Sequence, residues 1–106
     1  MSRRQTKVSE AIAHLAADFF ARESNAQSLI TVTRADVSPN LKNVKVYFSV
    51  LPEKFEESAL AFAKRNRTDF RDYLKQHSVL QYLPDVDFAI DYGEKNRQRI
   101  DDLTRK

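Results

Sequence analysis

The chain has 106 residues, with 18 lysines and arginines against 15 aspartates and glutamates, and its formal net charge is +3. This length suits one domain whose apolar residues, 42% of the total, are nearly all needed for a single core. The absence of cysteine excludes disulfides and thiol chemistry, and two histidines alone do not make a zinc site. We therefore expect a soluble, cytoplasmic protein with no metal, no cofactor and no membrane-spanning segment.

The positive charge is concentrated in three segments. Residues 1–9 hold three basic residues and no acid, whereas 64–75 and 95–106 each hold five basic residues against two acids. Acidic residues gather instead at 53–57 and 85–94. Such segregation is typical of a protein with one face that meets phosphate, and ordinary surface charge is the alternative interpretation.

The first half of the chain predicts a helix and a hairpin. Apolar residues recur at helical spacing over about 5–22. A run rich in β-branched residues predicts a strand at Leu29–Val37, and period-two alternation predicts a second strand at Val44–Val50. Residues 38–40 are Ser-Pro-Asn, which favours a turn, so these two strands are expected to pair as a hairpin.

The second half predicts a broken helical region. Pro52 suits the first turn of a helix, and the helical apolar pattern extends to about residue 77. Asn66 and Arg67 occupy positions where the buried stripe should continue. The region 52–77 is therefore expected to form two helices or one sharply bent helix.

A third strand completes the predicted fold. Apolar residues alternate from Val86 to Tyr92, and Gly93 closes the strand. The order α-β-β-α-α-β predicts an α+β domain in which helices pack on one face of a three-stranded sheet, the order of a type II KH domain. KH domains grip single-stranded RNA with a GXXG loop, which is absent here because Gly93 is the only glycine.

Separated parts of the chain resemble the bacterial ribosome-binding factor A family. The similar segments are the paired-strand region Ile30–Leu41 with Val44–Leu51, the third-strand region Leu83–Phe88 with Asp91, and the basic N-terminal helix with Val8 and Ile12. The resemblance covers nearly the whole chain. It implies a KH-like RNA-binding domain at 1–94, which lacks the GXXG loop, and a basic C-terminal tail at 95–106.

The resemblance also implies a function. It implies a non-enzymatic, cytoplasmic assembly factor that binds the free small (30S) ribosomal subunit and assists late 16S rRNA maturation near the 5′ end. Ribosome biogenesis, rRNA processing and cold adaptation are the associated processes. A monomer with no small-molecule substrate and no membrane contact is expected. A protein–protein adaptor whose basic face meets an acidic partner is the alternative function.

The resemblance further implies a kink between the paired helices. The family usually carries Ala-x-Gly where the KH loop would be, and Asn66, Arg67 and Thr68 occupy the corresponding place here. Asparagine tolerates unusual backbone angles better than most residues, so a kink can persist without the glycine.

The candidate RNA-binding residues are all basic. They are Arg3, Arg4, Lys7, Lys42, Lys45, Lys64, Arg65, Arg67, Arg71 and Lys75. Four of them, spaced from Lys64 to Lys75, would share one stripe of an unbroken helix and follow a phosphate backbone. The alternative is a solvated helix face on which Asp69 and Asp72 form intrahelical ion pairs.

Acidic, histidine and aromatic residues are further candidates for a functional site. Asp85, Asp87 and Asp91 share one face of the predicted third strand and suggest a metal or acid–base site, but a solvent-facing strand is the favoured interpretation. His14 and His77 are interpreted as helix-packing or surface residues. Base stacking is weighed against a place in the core or on the surface for Tyr47, Phe48, Tyr82 and Tyr92.

Overall fold

The computed structural model describes residues 2–23, 29–78, 80 and 82–93. Within them the order α-β-β-α-α-β and the predicted KH-like α+β class are confirmed. The elements are α1 Arg3–Glu23, β1 Leu29–Val37, β2 Asn43–Leu51, α2 Glu56–Arg65, α3 Arg67–His77 and β3 Asp85–Ile90.

The strands form a sheet in the order β1-β2-β3. The predicted hairpin is confirmed, because β1 pairs with β2 antiparallel, and β2 pairs with β3 parallel. Alternate residues are buried from Val44 to Val50 in β2 and from Val86 to Ile90 in β3. Since side chains of a strand alternate between its two faces, these residues form the core face that the helices cover.

An aromatic cluster joins the helices to the sheet. The Phe20 ring of α1 lies 5.4 Å from Phe88 and 5.9 Å from Phe48, measured between ring centroids. Phe70 of α3 lies 5.7 Å from Phe88 and 5.3 Å from Phe19. The tilted and edge-on arrangements suit the quadrupoles of aromatic rings, so the cluster adds specific geometry to the burial of apolar area.

Helix α1 begins two residues before the predicted start because Ser2 caps it. The Gln5 backbone N–H donates to Ser2 Oγ at 3.1 Å, and the Ser2 N–H donates to Gln5 Oε1 at 3.0 Å. This reciprocal pair is a capping box, which satisfies two donors that a helix start leaves open. Gln5 Nε2 also donates to the Val37 carbonyl at 3.0 Å, which attaches the helix start to the end of β1.

The region after Pro52 begins differently from the prediction. A 3₁₀ turn at Glu53–Phe55 comes first, in which the Phe55 N–H donates to the Pro52 carbonyl at 3.1 Å, and α2 begins only at Glu56. The predicted break is present as two separate helices with Asn66 between them.

The kink at Asn66 does not depend on the tolerance of asparagine for unusual backbone angles. Its φ of −95° and ψ of 13° lie on the right-handed side, so no unusual backbone angle is used. Instead Asn66 Nδ2 donates to the Phe62 carbonyl at 2.8 Å, and the Asn66 carbonyl accepts from the Phe70 N–H at 2.9 Å. The backbone N–H of Asn66 also donates to the Phe62 carbonyl, at 3.1 Å, so the side-chain amide and a backbone hydrogen bond on each side hold the junction.

Strand β3 ends at Ile90, before the predicted Tyr92, because Tyr92 and Gly93 already have helical backbone, and Asp91 lies between the two. Its N–H still donates to the Phe48 carbonyl at 2.8 Å, but its carboxylate accepts from the Thr33 hydroxyl. Asp91 is only 7% exposed. The prediction that Asp91 faces solvent is therefore wrong.

No helix in the described part of the chain is long and apolar enough to cross a membrane.

Candidate nucleic-acid interface

Basic residues from three parts of the chain border one cleft, here called cleft A. Arg4 of α1, Lys42 of the β1–β2 loop and Arg71 of α3 line it, and its volume is about 670 Å³. Asp85, at the start of β3, lies on its border. Three cations around one concave surface suit a phosphate group, since phosphate contacts come mainly from lysine and arginine.

Local structure explains why these three cations line the same cleft. The capping box and the Gln5 contact with Val37 hold the start of α1, which carries Arg4, against the end of β1. The Lys42 N–H donates to Asn40 Oδ1 at 3.0 Å, and its carbonyl accepts from the Asp85 N–H at 2.8 Å. Arg71 directly follows the fully buried Phe70, which orients this part of α3.

A second cleft, cleft B, adjoins the first. Lys45 of β2 and Arg67 of α3 line it together with Asp36, Asp85 and Asp87, and its volume is about 470 Å³. Asp85 borders both clefts. Three carboxylates against two cations give the lining of cleft B a net negative charge, so cleft A is the positive one of the two.

The four cations of the predicted stripe are all exposed, with Lys64 on α2 and the other three at successive turns of α3. Arg67 lines cleft B and Arg71 lines cleft A. Lys64 Nζ lies 4.0 Å from Asp87 Oδ1, so this cation is directed at a carboxylate. Lys75 is exposed and borders neither cleft.

The remaining basic candidates lie apart from the clefts. Arg3 and Arg65 are exposed and line neither of them. Lys7 lines a third, largely apolar cleft of about 440 Å³ between α1 and the end of α3, with His14 and His77. The candidate set is thus divided among several surfaces.

Of the predicted break residues, Arg67 lines cleft B. Asn66 is half-buried between α2 and α3, whereas Arg67 and Thr68 are exposed in the first turn of α3. Because α3 begins at Arg67, the junction sets where Arg67 and Arg71 lie relative to β3.

The two histidines lie on exposed helix surfaces. His14 Nε2 lies 3.5 Å from Asp18 Oδ2 on the exposed side of α1, and His77 packs against Tyr73 at 4.2 Å between ring centroids. Among the described residues, no group of three histidine or acidic side chains is arranged to hold a metal ion.

The aromatic candidates separate into core and surface. Phe48 is fully buried in the core, which excludes base stacking on it. Tyr47 is half-buried on the open face of the sheet, with the Arg34 guanidinium carbon 4.0 Å from its ring centroid. Tyr82 lines cleft A and is 79% exposed, whereas Tyr92 is 62% exposed near the end of β3.

Two features of the site escaped the sequence interpretation. Leu41, which lines cleft A, has a positive φ of 61°, and a local sequence without glycine there offered no sign of it. The Ser2–Gln5 capping box that positions Arg4 matches the S-x-x-Q pattern, which was a readable signal. The predicted tail at 95–106 lies outside the described residues.

The fold and the clefts together define a KH-like α+β domain that has a basic surface and no GXXG loop. A family model described as Ribosome-binding factor A matches residues 4–104. Ribosome-binding factor A of Coxiella burnetii (strain CbuG_Q212) is 30% identical over 108 residues, which cover 100% of this chain and 91% of that protein. The chain belongs to the ribosome-binding factor A family.

Solved structures agree in fold. The crystal structure of ribosome-binding factor A from Thermus thermophilus aligns with a TM-score of 0.73 at 20% identity, covering 81% of this chain and 94% of that one. A homology model of the Thermus thermophilus factor, fitted into a cryo-EM map of a 30S–RBFA complex, aligns with a TM-score of 0.68 at 21% identity. It covers 76% of this chain and 88% of that one.

Proposed function

We propose that this protein is an assembly factor that binds the free small ribosomal subunit and assists late maturation of 16S rRNA near its 5′ end. Cleft A and the adjoining cations Lys45 and Arg67 form the proposed RNA-contacting surface, and the other basic candidates form its wider electrostatic surroundings. Residues 1–94 form the binding domain in this proposal, and the basic tail 95–106 adds further contacts. The protein acts in the cytoplasm as a monomer, without a cofactor.

One observation carries the proposal. Arg4, Lys42 and Arg71 come from three distant parts of the sequence, yet they border a single cleft. Like charges repel, so bringing three cations together favours a partner that neutralises them. A phosphate backbone does so and releases its condensed counterions on binding. Family membership and the 30S complex of the Thermus thermophilus relative support the ribosomal subunit as the source of that phosphate.

The proposed mechanism is binding without bond chemistry. A factor that binds one conformation of immature rRNA stabilises it by mass action. When the RNA rearranges, the affinity falls and the factor dissociates. The subunit then becomes available to partners that the factor had excluded.

The first test is cosedimentation of the protein with small subunits, large subunits and assembled ribosomes over a series of salt concentrations. The proposal predicts retention on free small subunits at salt concentrations that abolish binding to the other particles. Equal binding to all three, lost together as salt rises, would indicate non-specific electrostatics and contradict the proposal.

A charge-reversal variant tests the proposed surface. Arg67→Glu combined with Arg71→Glu should reduce small-subunit affinity by at least about tenfold, because each substitution replaces a phosphate contact with a repelling charge. Both side chains are exposed, so the free energy of unfolding should change little. Arg22→Glu combined with Lys54→Glu is the matched control, since it changes the net charge equally away from both clefts. Equal loss of affinity in both variants would remove the clefts from the binding surface.

A crosslinking experiment separates RNA binding from the adaptor alternative. A photoreactive residue at position 71 should crosslink to 16S rRNA in the subunit complex. Crosslinks to ribosomal protein alone would favour the adaptor.

A further inference from the structure

Tyr82 places an exposed aromatic ring at cleft A. Its exposure of 79% exceeds that of Leu51 at 57% and Tyr92 at 62%. A ring this exposed adds little to the core, so its packing does not explain its place beside three cations. Aromatic rings beside a positively charged groove are the recurring platform on which unstacked bases of single-stranded nucleic acid lie.

Leu41 adds an apolar side chain to the lining of the same cleft and has an unfavourable backbone conformation. Its φ of 61° is a left-handed conformation that leucine adopts unfavourably. The Leu41 N–H donates to the Ser38 carbonyl at 2.9 Å, and its half-buried side chain packs against the core beside cleft A. Unfavourable backbone conformations of this kind cluster at ligand sites, because the surrounding structure maintains them for the position of a side chain.

Asp85 adds a hydrogen-bond acceptor to the lining of cleft A. Its backbone N–H is held by the Lys42 carbonyl at 2.8 Å, and within the described part of the chain its carboxylate has no hydrogen bond or ion pair. A carboxylate repels phosphate, so it weakens a surface that serves only phosphate. It does accept hydrogen bonds from exocyclic amino groups of bases, as acidic side chains do with cytosine N4.

We infer that cleft A is a subsite for one unpaired nucleotide whose base carries an exocyclic amino group. Arg4, Lys42 and Arg71 contact its phosphates. Tyr82 stacks on the base, and Asp85 accepts a hydrogen bond from the amino group, which disfavours uracil. The volume of about 670 Å³ lies in the range of pockets that hold small ligands. The inference rests on the proposed function, because it assigns RNA to this cleft.

The test uses fluorescein-labelled octamers of cytidylate and of uridylate, with affinities measured by fluorescence anisotropy at fixed salt. The protein should bind the cytidylate octamer at least about threefold more tightly. Tyr82→Leu keeps an apolar side chain but removes the ring, and it should weaken both octamers about tenfold. Tyr92→Leu, the matched exposed tyrosine, should change neither affinity.

Asp85→Asn tests base selection separately from stacking. The amide can donate to uracil as well as accept from cytosine, so the preference for cytidylate should disappear. Removal of a negative charge should at the same time tighten binding of the uridylate octamer. Tighter binding of uridylate together with loss of the cytidylate preference is not expected if Asp85 has only a structural role. Urea unfolding midpoints would verify that each variant is folded.

The outcomes distinguish this inference from the proposed function. Equal binding of both octamers by the unmodified protein, or unchanged affinity in Tyr82→Leu, overturns the subsite even if the protein cosediments with small subunits. If cosedimentation fails but the cytidylate preference is present and is lost in Asp85→Asn, the subsite is supported and the ribosomal assignment is overturned.

Discussion

Leu41 illustrates how one residue combines an unfavourable backbone conformation with a useful side-chain position. It is the described non-glycine residue with a positive φ, at 61°, in the loop between β1 and β2. Hydrogen bonds from neighbouring residues hold this loop, including Asn43 N–H to Ser38 Oγ at 3.1 Å. The loop therefore imposes the conformation, and the leucine side chain gains contact with the core.

A pair of truncations separates the backbone from the side chain. Leu41→Gly and Leu41→Ala both delete the apolar contacts, but only glycine adopts a left-handed conformation without a steric cost. Leu41→Gly should therefore be more stable than Leu41→Ala by about 1 kcal/mol in urea unfolding. Equal stabilities would show that the positive φ is relieved in the variants.

Among the larger elements, β1 depends on a bulge for its alignment. The register shifts between Val32, opposite Phe48, and Arg34, opposite Tyr47, so Thr33 is the extra residue. The Thr33 hydroxyl lies within hydrogen-bonding distance of Asp91 Oδ2 and of the Tyr47 carbonyl, at 3.2 Å from the latter. The bulge thus connects β1 across β2 to the end of β3.

Removal of this hydroxyl should weaken the sheet. Thr33→Val keeps the shape of the side chain but loses hydrogen bonding to a nearly buried carboxylate, and it should lower the free energy of unfolding by about 1 kcal/mol. Thr31→Val, an exposed position two residues earlier on the same strand, is the matched control and should change stability little. Equal losses of stability in the two variants, measured by urea unfolding, would show that the effect is not specific to the Thr33 hydroxyl.

At the junction of α2 and α3, substitution by glycine should lower stability relative to alanine, which is the opposite of the effect expected at Leu41. At φ −95°, Asn66 has no need of glycine, and its side chain donates to the Phe62 carbonyl. Asn66→Gly should destabilise the domain by about 1 kcal/mol, because the unfolded chain gains freedom and a hydrogen bond is lost. Asn66→Ala should be more stable than Asn66→Gly in thermal unfolding. If the glycine variant were the more stable of the two, the junction would require a conformation other than the one described.

For the molecule as a whole, the aromatic cluster decides whether the clefts exist. Phe20, Phe70 and Phe88 bring α1, α3 and β3 together, and these are the elements that carry Arg4, Arg71 and Asp85. Stability and the binding surface therefore depend on the same packing.

Truncation in the cluster should be severe. Phe20 is 1% exposed, so Phe20→Ala should cost about 3–5 kcal/mol, a large share of the roughly 5–15 kcal/mol typical of a domain. Phe55→Ala, at a half-buried ring after β2, should cost less than about 2 kcal/mol. Urea unfolding of both variants measures the difference, and similar losses would contradict the central role of the cluster.

Local patterns were sufficient for most of the fold. The alternation from Val44 to Val50 and the helical spacing around Phe70 predicted elements whose buried faces the structure confirms. Errors arose where an element ends, as at Glu56 and Asp91, because boundaries depend on capping and on contacts with other strands.

The candidate site was less accessible to such patterns. Ten basic residues were identified by charge, but nothing in their spacing indicated that Arg4, Lys42 and Arg71 meet whereas Lys7 lies at another cleft. Periodicity reports which face of an element is buried, and it contains no distance between elements far apart in the sequence. Those distances follow from how α1 and α3 pack on the sheet and from the loop that holds Leu41. The kinds of residue and the order of the elements are thus determined by the local sequence, whereas cleft A forms only because tertiary packing brings together residues that are distant in the sequence.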